Sequence, residues 1–197
     1  MTKKVDMIVI GAGIVGSMVA RFLSKYQMEI LLIDKDVDVG MGTSSANSAA
    51  IHAGYDALPG TNKAITNVLG SKMWPQVSKE LGIPYLQSGD YVVAVNEEEM
   101  DTLKELLERG IQNGVEGLEI IDGAEMRRRE PLIRPDVIGA LWASTGAMGD
   151  PFTATVATAE NAVMNGVEVM HKAGVRPEFT IRPRRGEYLI IDKADFQ

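Results

Sequence analysis

The chain has no cysteine and only two histidines in 197 residues. Without thiols there is no disulfide framework, no thiolate metal site and no covalent flavin–thioether link. Two imidazoles argue against a zinc site, and the expected metal content is none. Basic residues are in deficit, 20 Lys and Arg against 27 Asp and Glu, for a net charge of −7. That balance argues against a general affinity for nucleic acid or anionic lipid, although a local basic patch, and with it peripheral membrane contact, stays open. Long apolar runs are missing too, and nothing approaches the ~20 residues of a membrane span. The apolar stretch before Gly11 is too short for a signal peptide and is already used as a strand, so the expected location is the cytoplasm. Apolar content of 45% and charged content of 24% are those of a soluble globular chain, long enough for one core or for one domain with a smaller one attached.

What is present is organised around residues 6–34, DMIVIGAGIVGSMVARFLSKYQMEILLID. A short apolar strand runs into Gly11, Gly13 and Gly16. Val15, Met18, Val19, Phe22, Leu23 and Tyr26 then recur at the spacing of one helix face, which is expected to be buried. A second apolar run, Ile30–Ile33, ends on Asp34. Strand, glycine turn, helix, strand and acid follow in the order of a dinucleotide-binding unit. Gly11 permits the sharp turn. Gly13 lets a pyrophosphate approach the free N–H groups and positive dipole at the helix start. Gly16 lets the helix lie close on the strands, and Asp34 is placed to accept from an adenosine ribose. An acid there disfavours NADP, and the fingerprint by itself does not separate NAD from FAD.

The segment 37–61 is rich in Gly, Ser, Ala and Asn and lacks a sustained period, apart from a short helix expected at 45–50. A long loop of this kind is either disordered or functional. Thr43, Ser44, Ser45, Asn47 and Ser48 offer hydroxyl and amide groups to phosphate or ribose, the alternative being a solvated Ser/Asn loop. Beyond it the pattern predicts a helix over 63–81, kinked or restarted at Pro75, with Ile65, Val68, Leu69, Met73 and Val77 inward. A strand follows over 85–96, bent at 88–90. Next come a helix over 97–110, with Met100, Leu103, Leu107 and Ile111 inward, and a strand over 118–121. Asp122 caps a helix to 129, and Arg127, Arg128 and Arg129 are read as a solvated face. A strand over 137–144, a turn over 146–149, a helix begun by Asp150 and Pro151 and a strand over 167–170 come next. From His171 only a few residues precede a last strand over 188–191. No second half of a doubly wound sheet appears between them, and the chain looks incomplete there.

These residues together resemble the FAD-dependent oxidoreductases of the D-amino-acid oxidase superfamily, in the branch of glycerol-3-phosphate dehydrogenase and L-2-hydroxyglutarate oxidase. The carriers are VIGAGIVG to LID, GTSSANSAAIHAGY with PGTNKA, GDYVVA, EPL, GAMGDPF and PRRGEY. The resemblance implies an α/β fold: a Rossmann-like FAD-binding domain with a parallel sheet, interrupted by a smaller α+β substrate domain with an antiparallel sheet. Residues 1–84 and 143–178 would form the first, its second half incomplete, and residues 85–142 and 179–197 the second. It implies FAD as cofactor, held by Gly11, Gly13, Ile14, Val15, Gly16, Asp34, Lys35, Thr43, Ser44, Ser45, Asn47, Ser48, Ala50 and His52. The implied reaction oxidises a secondary alcohol of a small anionic hydroxy substrate, glycerol 3-phosphate first and L-2-hydroxyglutarate as the alternative, by hydride transfer to the flavin. His52 is the candidate base, and Arg184 or Arg185 the candidate anion clamp. The electron acceptor stays open. A nucleotide-binding fragment without activity is the reading from another class.

Overall fold

The structure, a computed structural model, describes residues 4–171. Arg184, Arg185 and the strand expected over 188–191 lie outside the described residues. β1 (Met7–Ile10) passes through the glycine turn into α1 (Ile14–Leu23), and β2 (Ile30–Ile33) returns parallel to β1, with Met7 opposite Ile30 and Ile10 opposite Ile33. A 3-10 turn at Thr43–Ser45 is followed by β3 (Ala50–Ile51), α2 (Asn62–Leu81), β4 (Tyr85–Leu86) and β5 (Asp90–Ala94). Next come α3 (Glu97–Gln112), β6 (Leu118–Asp122), α4 (Gly123–Arg129) and β7 (Gly139–Ala143). β8 (Ala147–Gly149), α5 (Pro151–Met164) and β9 (Glu168–Met170) close the described chain.

Among the described residues, three three-stranded sheets result. One is parallel, in the order β1-β2-β9, and two are antiparallel, β3-β8-β4 and β5-β7-β6. This is the expected mixed α/β architecture. The parallel sheet packs through Ile30 and Leu32 on Ala12 and Ala20 at one end of the chain and Ala162 and Val167 at the other. α3 covers the β5-β7-β6 sheet with Leu103, buried against Ala94 and Leu141. Helix starts fall where the cap residues place them. Thr61, Asn96, Asp122 and Asp150 each accept from a backbone N–H of the first turn, satisfying donors that have no partner within the helix.

The buried faces differ from those the periodicity predicts. α1 buries Ser17, Ala20 and Arg21, whereas Val15, Val19 and Tyr26 are 74%, 43% and 67% exposed. Small side chains let α1 lie close to α5, and Arg21 reaches across to Asn161 Oδ1 (3.1 Å) and to Glu80 of α2. Met18, Phe22 and Leu23 are half-buried. On α2, Val68 and Val77 are buried, while Ile65, Leu69 and Met73 are exposed. The helix runs unbroken through Pro75. On α3, Ile111 is exposed. The helix expected over 45–50 is replaced by the 3-10 turn and β3. Asn47 ends the turn by donating to the Thr43 and Ser44 carbonyls and accepting from Ala49 N, and Ala49 takes φ +63°. The turn expected over 146–149 is largely strand β8, which pairs with both β3 and β4.

Candidate functional site

The glycine turn is built so that no side chain fits in it. Gly11 has φ +100°, and a Cβ at Gly16 would lie 1.8 Å from the Gly11 carbonyl oxygen. A Cβ at Gly13 would lie 2.9 Å from Ser44 Oγ. Ser44 reaches over this turn from the 3-10 segment, and its Oγ accepts from Ile14 N at 2.9 Å. The amides of Gly13 and Val15 meet no acceptor among the described residues. Free amides at a bare, positive helix start form a cradle for an anion such as a pyrophosphate.

Asp34 follows β2, and its Oδ2 accepts from Ala12 N at 2.5 Å while Oδ1 accepts from Asp36 N at 2.9 Å. Burial pushes its pKa up, but hydrogen bonds from the amides of Asp36, Ala12 and Lys35 and the charge of Lys35 outweigh it and hold the carboxyl below its ordinary value. Asp34 therefore stays ionised and ties the end of β2 to the glycine turn. Lys35 is exposed and lies 3.9 Å from Asp36.

The Ser/Asn segment is largely bonded to itself. Ser45 Oγ donates to Gly40 O at 2.5 Å, while Thr43 and Ser48 stand exposed. Ser44, Asn47, Ala50 and His52 line a cavity of about 370 Å³ together with Ile14, the Gly70 region of α2 and the start of α5. The structure thus brings together Ile14 at the start of α1, Ser44, Asn47, Ala50 and His52. Gly11, Gly13, Val15, Gly16, Asp34, Lys35, Thr43, Ser45 and Ser48 do not line that cavity.

His52 lies just beyond β3, is exposed, and its carbonyl accepts from Asn67 Nδ2 at 2.7 Å. The stretch after it is pinned from α3. Asn113 Nδ2 donates to the carbonyls of Gly54 (3.0 Å) and Ala57 (2.7 Å), and Arg109 donates to Asp56 O. Asn67, Asn113 and Arg109 are absent from the sequence reading, because nothing local in their helices points to a loop some fifteen or more residues away. Also missed is the contact of the Tyr55 hydroxyl with the Asp90 carboxylate. Burial first, then the Asp90 charge, pushes the Tyr55 phenol well above its ordinary pKa. Burial likewise pushes Asp90 up, against the Tyr55 hydrogen bond and the charge of His52.

A profile of the family described as FAD dependent oxidoreductase matches residues 6–177. The chain belongs to the FAD dependent oxidoreductases. A glycerol 3-phosphate dehydrogenase of Caloramator mitchellensis is 46% identical over 164 residues, 83% of this chain and 34% of its own. A mitochondrial L-2-hydroxyglutarate dehydrogenase of Arabidopsis thaliana is 39% identical over 132 residues, 67% of this chain and 27% of its own. Among solved structures, dithionite-reduced L-alpha-glycerophosphate oxidase from Mycoplasma pneumoniae with FAD bound superposes with a TM-score of 0.83. It is 30% identical, and the match covers 87% of this chain and 45% of that one. The chain thus spans less than half the length of these relatives. Among the described residues of this FAD dependent oxidoreductase, no helix is long and apolar enough to cross a membrane.

Proposed function

We propose that these residues form the cofactor-holding part of an oxidoreductase that converts the secondary alcohol of glycerol 3-phosphate to a ketone. The observation that carries this reading is one cavity lined by the start of α1 at Ile14, a wall of small polar residues and His52 at the rim, beside a glycine turn over which Ser44 reaches to Ile14 N. The 46% identity to a glycerol 3-phosphate dehydrogenase supports the choice of substrate over L-2-hydroxyglutarate, for which the similarity is lower and shorter.

In this reading Gly13, Ile14, Val15 and Ser44 hold the pyrophosphate, with Gly11, Gly16 and Asp34 keeping the turn in shape. Lys35, Thr43, Ser45, Asn47, Ser48 and Ala50 bound the rest of the cofactor. When bound, FAD supplies the acceptor for the hydride that leaves the hydroxyl-bearing carbon. His52 takes the hydroxyl proton at an imidazole nitrogen, so that hydride and proton together leave the carbonyl behind. The Asn67 bond to the His52 carbonyl and the Asn113 clamp on Gly54 and Ala57 fix the backbone at and after His52, which keeps the base where the substrate meets it. Arg184 or Arg185 would bind the phosphate through paired hydrogen bonds. The division into a cofactor part, residues 1–84 and 143–178, and a substrate part, residues 85–142 and 179–197, belongs to the same proposal.

The test replaces His52 by Ala in a flavin-loaded polypeptide of the relatives' full length that carries these residues. Flavin content should be unchanged, and anaerobic flavin reduction by glycerol 3-phosphate should slow by about a hundredfold. A slowing of less than about threefold, far below what removal of a general base costs, would reassign His52 to packing.

A further inference from the structure

Beside His52 lies a carboxylate that the proposed reaction does not yet use. β3 runs antiparallel to β8 with Ile51 opposite Ala147. Extended by one residue, that register sets His52 opposite Gly146. Gly146 is buried, and the Asp90 carboxylate fills the place where its side chain would stand. A Cβ there would lie 2.7 Å from Asp90 Oδ2 and 2.8 Å from Asp90 Cγ. Gly89 N donates to Gly146 O at 2.9 Å and ties the start of β5 to this turn. The Tyr55 hydroxyl donates to the same carboxylate, from a ring packed on the cores around Ala143 and Leu103. Asp90 is thus fixed, but only half used. Its Oδ1 is buried and has no hydrogen-bond partner among the described residues, and an acceptor buried without a donor is costly. His52 is the cation whose charge reaches Asp90. Asn67 ties its backbone, while its ring has no hydrogen-bond partner among the described residues. His52 lines the cavity and Asp90 does not.

We infer that Asp90 is the positioning residue of His52, its Oδ1 accepting from one imidazole N–H while Tyr55 holds the carboxylate and the other ring nitrogen faces the cavity. The use of this pair in the reaction rests on His52 being the base proposed above. With one N–H committed to Asp90, the ring is held in the tautomer whose other nitrogen is bare, the form a base needs. When that nitrogen takes the hydroxyl proton, the imidazolium forms beside an anion, which favours it. The proton stays on His52, and Asp90 only faces the charge. Other charged groups around the pair have partners of their own. Asp56, which faces Tyr55, pairs with Lys63 of α2 at 3.1 Å, and Arg109 of α3 donates to the Asp56 carbonyl. Asp150, which shares the cavity lining, caps α5.

The chain has two histidines in 197 residues, so NMR titration of its imidazole resonances resolves His52 and leaves His171 as an internal control. Asp90→Asn, which keeps the shape and removes the charge, should lower the His52 midpoint by about one pH unit, a tenfold loss of proton affinity. His171 should not respond. Tyr55→Phe should lower the His52 midpoint less. Should the variants fail to fold, the wild-type chain decides, because the Asp90 carboxyl carbon should show an inflection at the His52 midpoint. An unchanged His52 midpoint, an equal displacement of His171, or no such inflection would overturn the pairing. In the flavin-loaded polypeptide of the relatives' full length, Asp90→Asn should move the acid limb of anaerobic flavin reduction to lower pH and cut the plateau rate about tenfold. A limb and plateau that stay in place while the midpoint moves would overturn the positioning role. Failure of the base reading is told apart, since His52→Ala would then leave flavin reduction unchanged while the midpoint shift in Asp90→Asn persists, removing the pair from the reaction.

Discussion

Asp34 shows how one side chain serves both the fold and the site. Its carboxylate accepts from the amides of Ala12 and Asp36 and so couples the glycine turn to β2 at the point where a cofactor's ribose would arrive. Its folded-state pKa lies below the ordinary value. A depressed carboxylate pKa contributes stability that is present above the unfolded value, about 3.9, and is lost as pH falls through the folded value. Asp34→Asn should therefore lower the thermal midpoint at pH 7, with the difference shrinking as both proteins are taken below about pH 4. Thermal unfolding monitored by circular dichroism checks it, and a difference that stays constant or widens on acidification would contradict the assignment. The sharp turn at Gly11 and the close packing at Gly16 were legible in the sequence, since spacing assigns them, whereas the hold of the Ala12 and Asp36 amides on Asp34 was not. That Ser44 alone of the Ser/Asn cluster reaches the helix start was not legible. It depends on how the 3-10 turn folds back across a separation of 30 residues.

Among the elements, α5 is the one that joins the site to the core. Its first turn borders the cavity, and Ala162 packs with Ala20 of α1. Asp150 begins it, with Oδ1 accepting from Phe152 N and Thr153 N at 3.0 Å each and Oδ2 accepting from Thr153 Oγ1 at 2.7 Å. Asp150→Ala should cost about 1 kcal/mol in urea unfolding, whereas Asp150→Asn should retain most of the stability. Equal loss in both variants would show that the charge, rather than the cap geometry, matters. Caps of this kind are chemistry within three residues, and so the starts of α2 to α5 could be read from the sequence within a residue or two. The burial of α1 could not. Its large apolar residues have the right period, but the positions it buries fully are Ser17, Ala20 and Arg21, the last drawn inward by Asn161, 140 residues away. A periodic stripe states that a face is apolar, not that the described residues bury it.

For the whole molecule, the described chain is a parallel sheet with its helices, two small antiparallel sheets, and a cavity lined by β3, β8 and the helices α1, α2 and α5. It spans less than half the length of its relatives. The alternation of apolar runs with helical periods located most of the strands and helices, whereas the mixed parallel and antiparallel pairing was implied by the family resemblance. What periodicity could not supply is the clamp of Asn113 and Arg109 on the loop after His52, a contact between elements far apart in sequence. FAD is proposed to rest on the glycine turn, and equilibrium titration of the 197-residue chain with FAD, followed by flavin fluorescence, measures this. Saturable binding of one FAD per chain is expected. Gly13→Val, which puts a side chain against Ser44 Oγ and across the approach to the helix amides, should weaken it by tenfold or more, about 1.4 kcal/mol or above. No saturable binding, or equal affinity in both proteins, would contradict it.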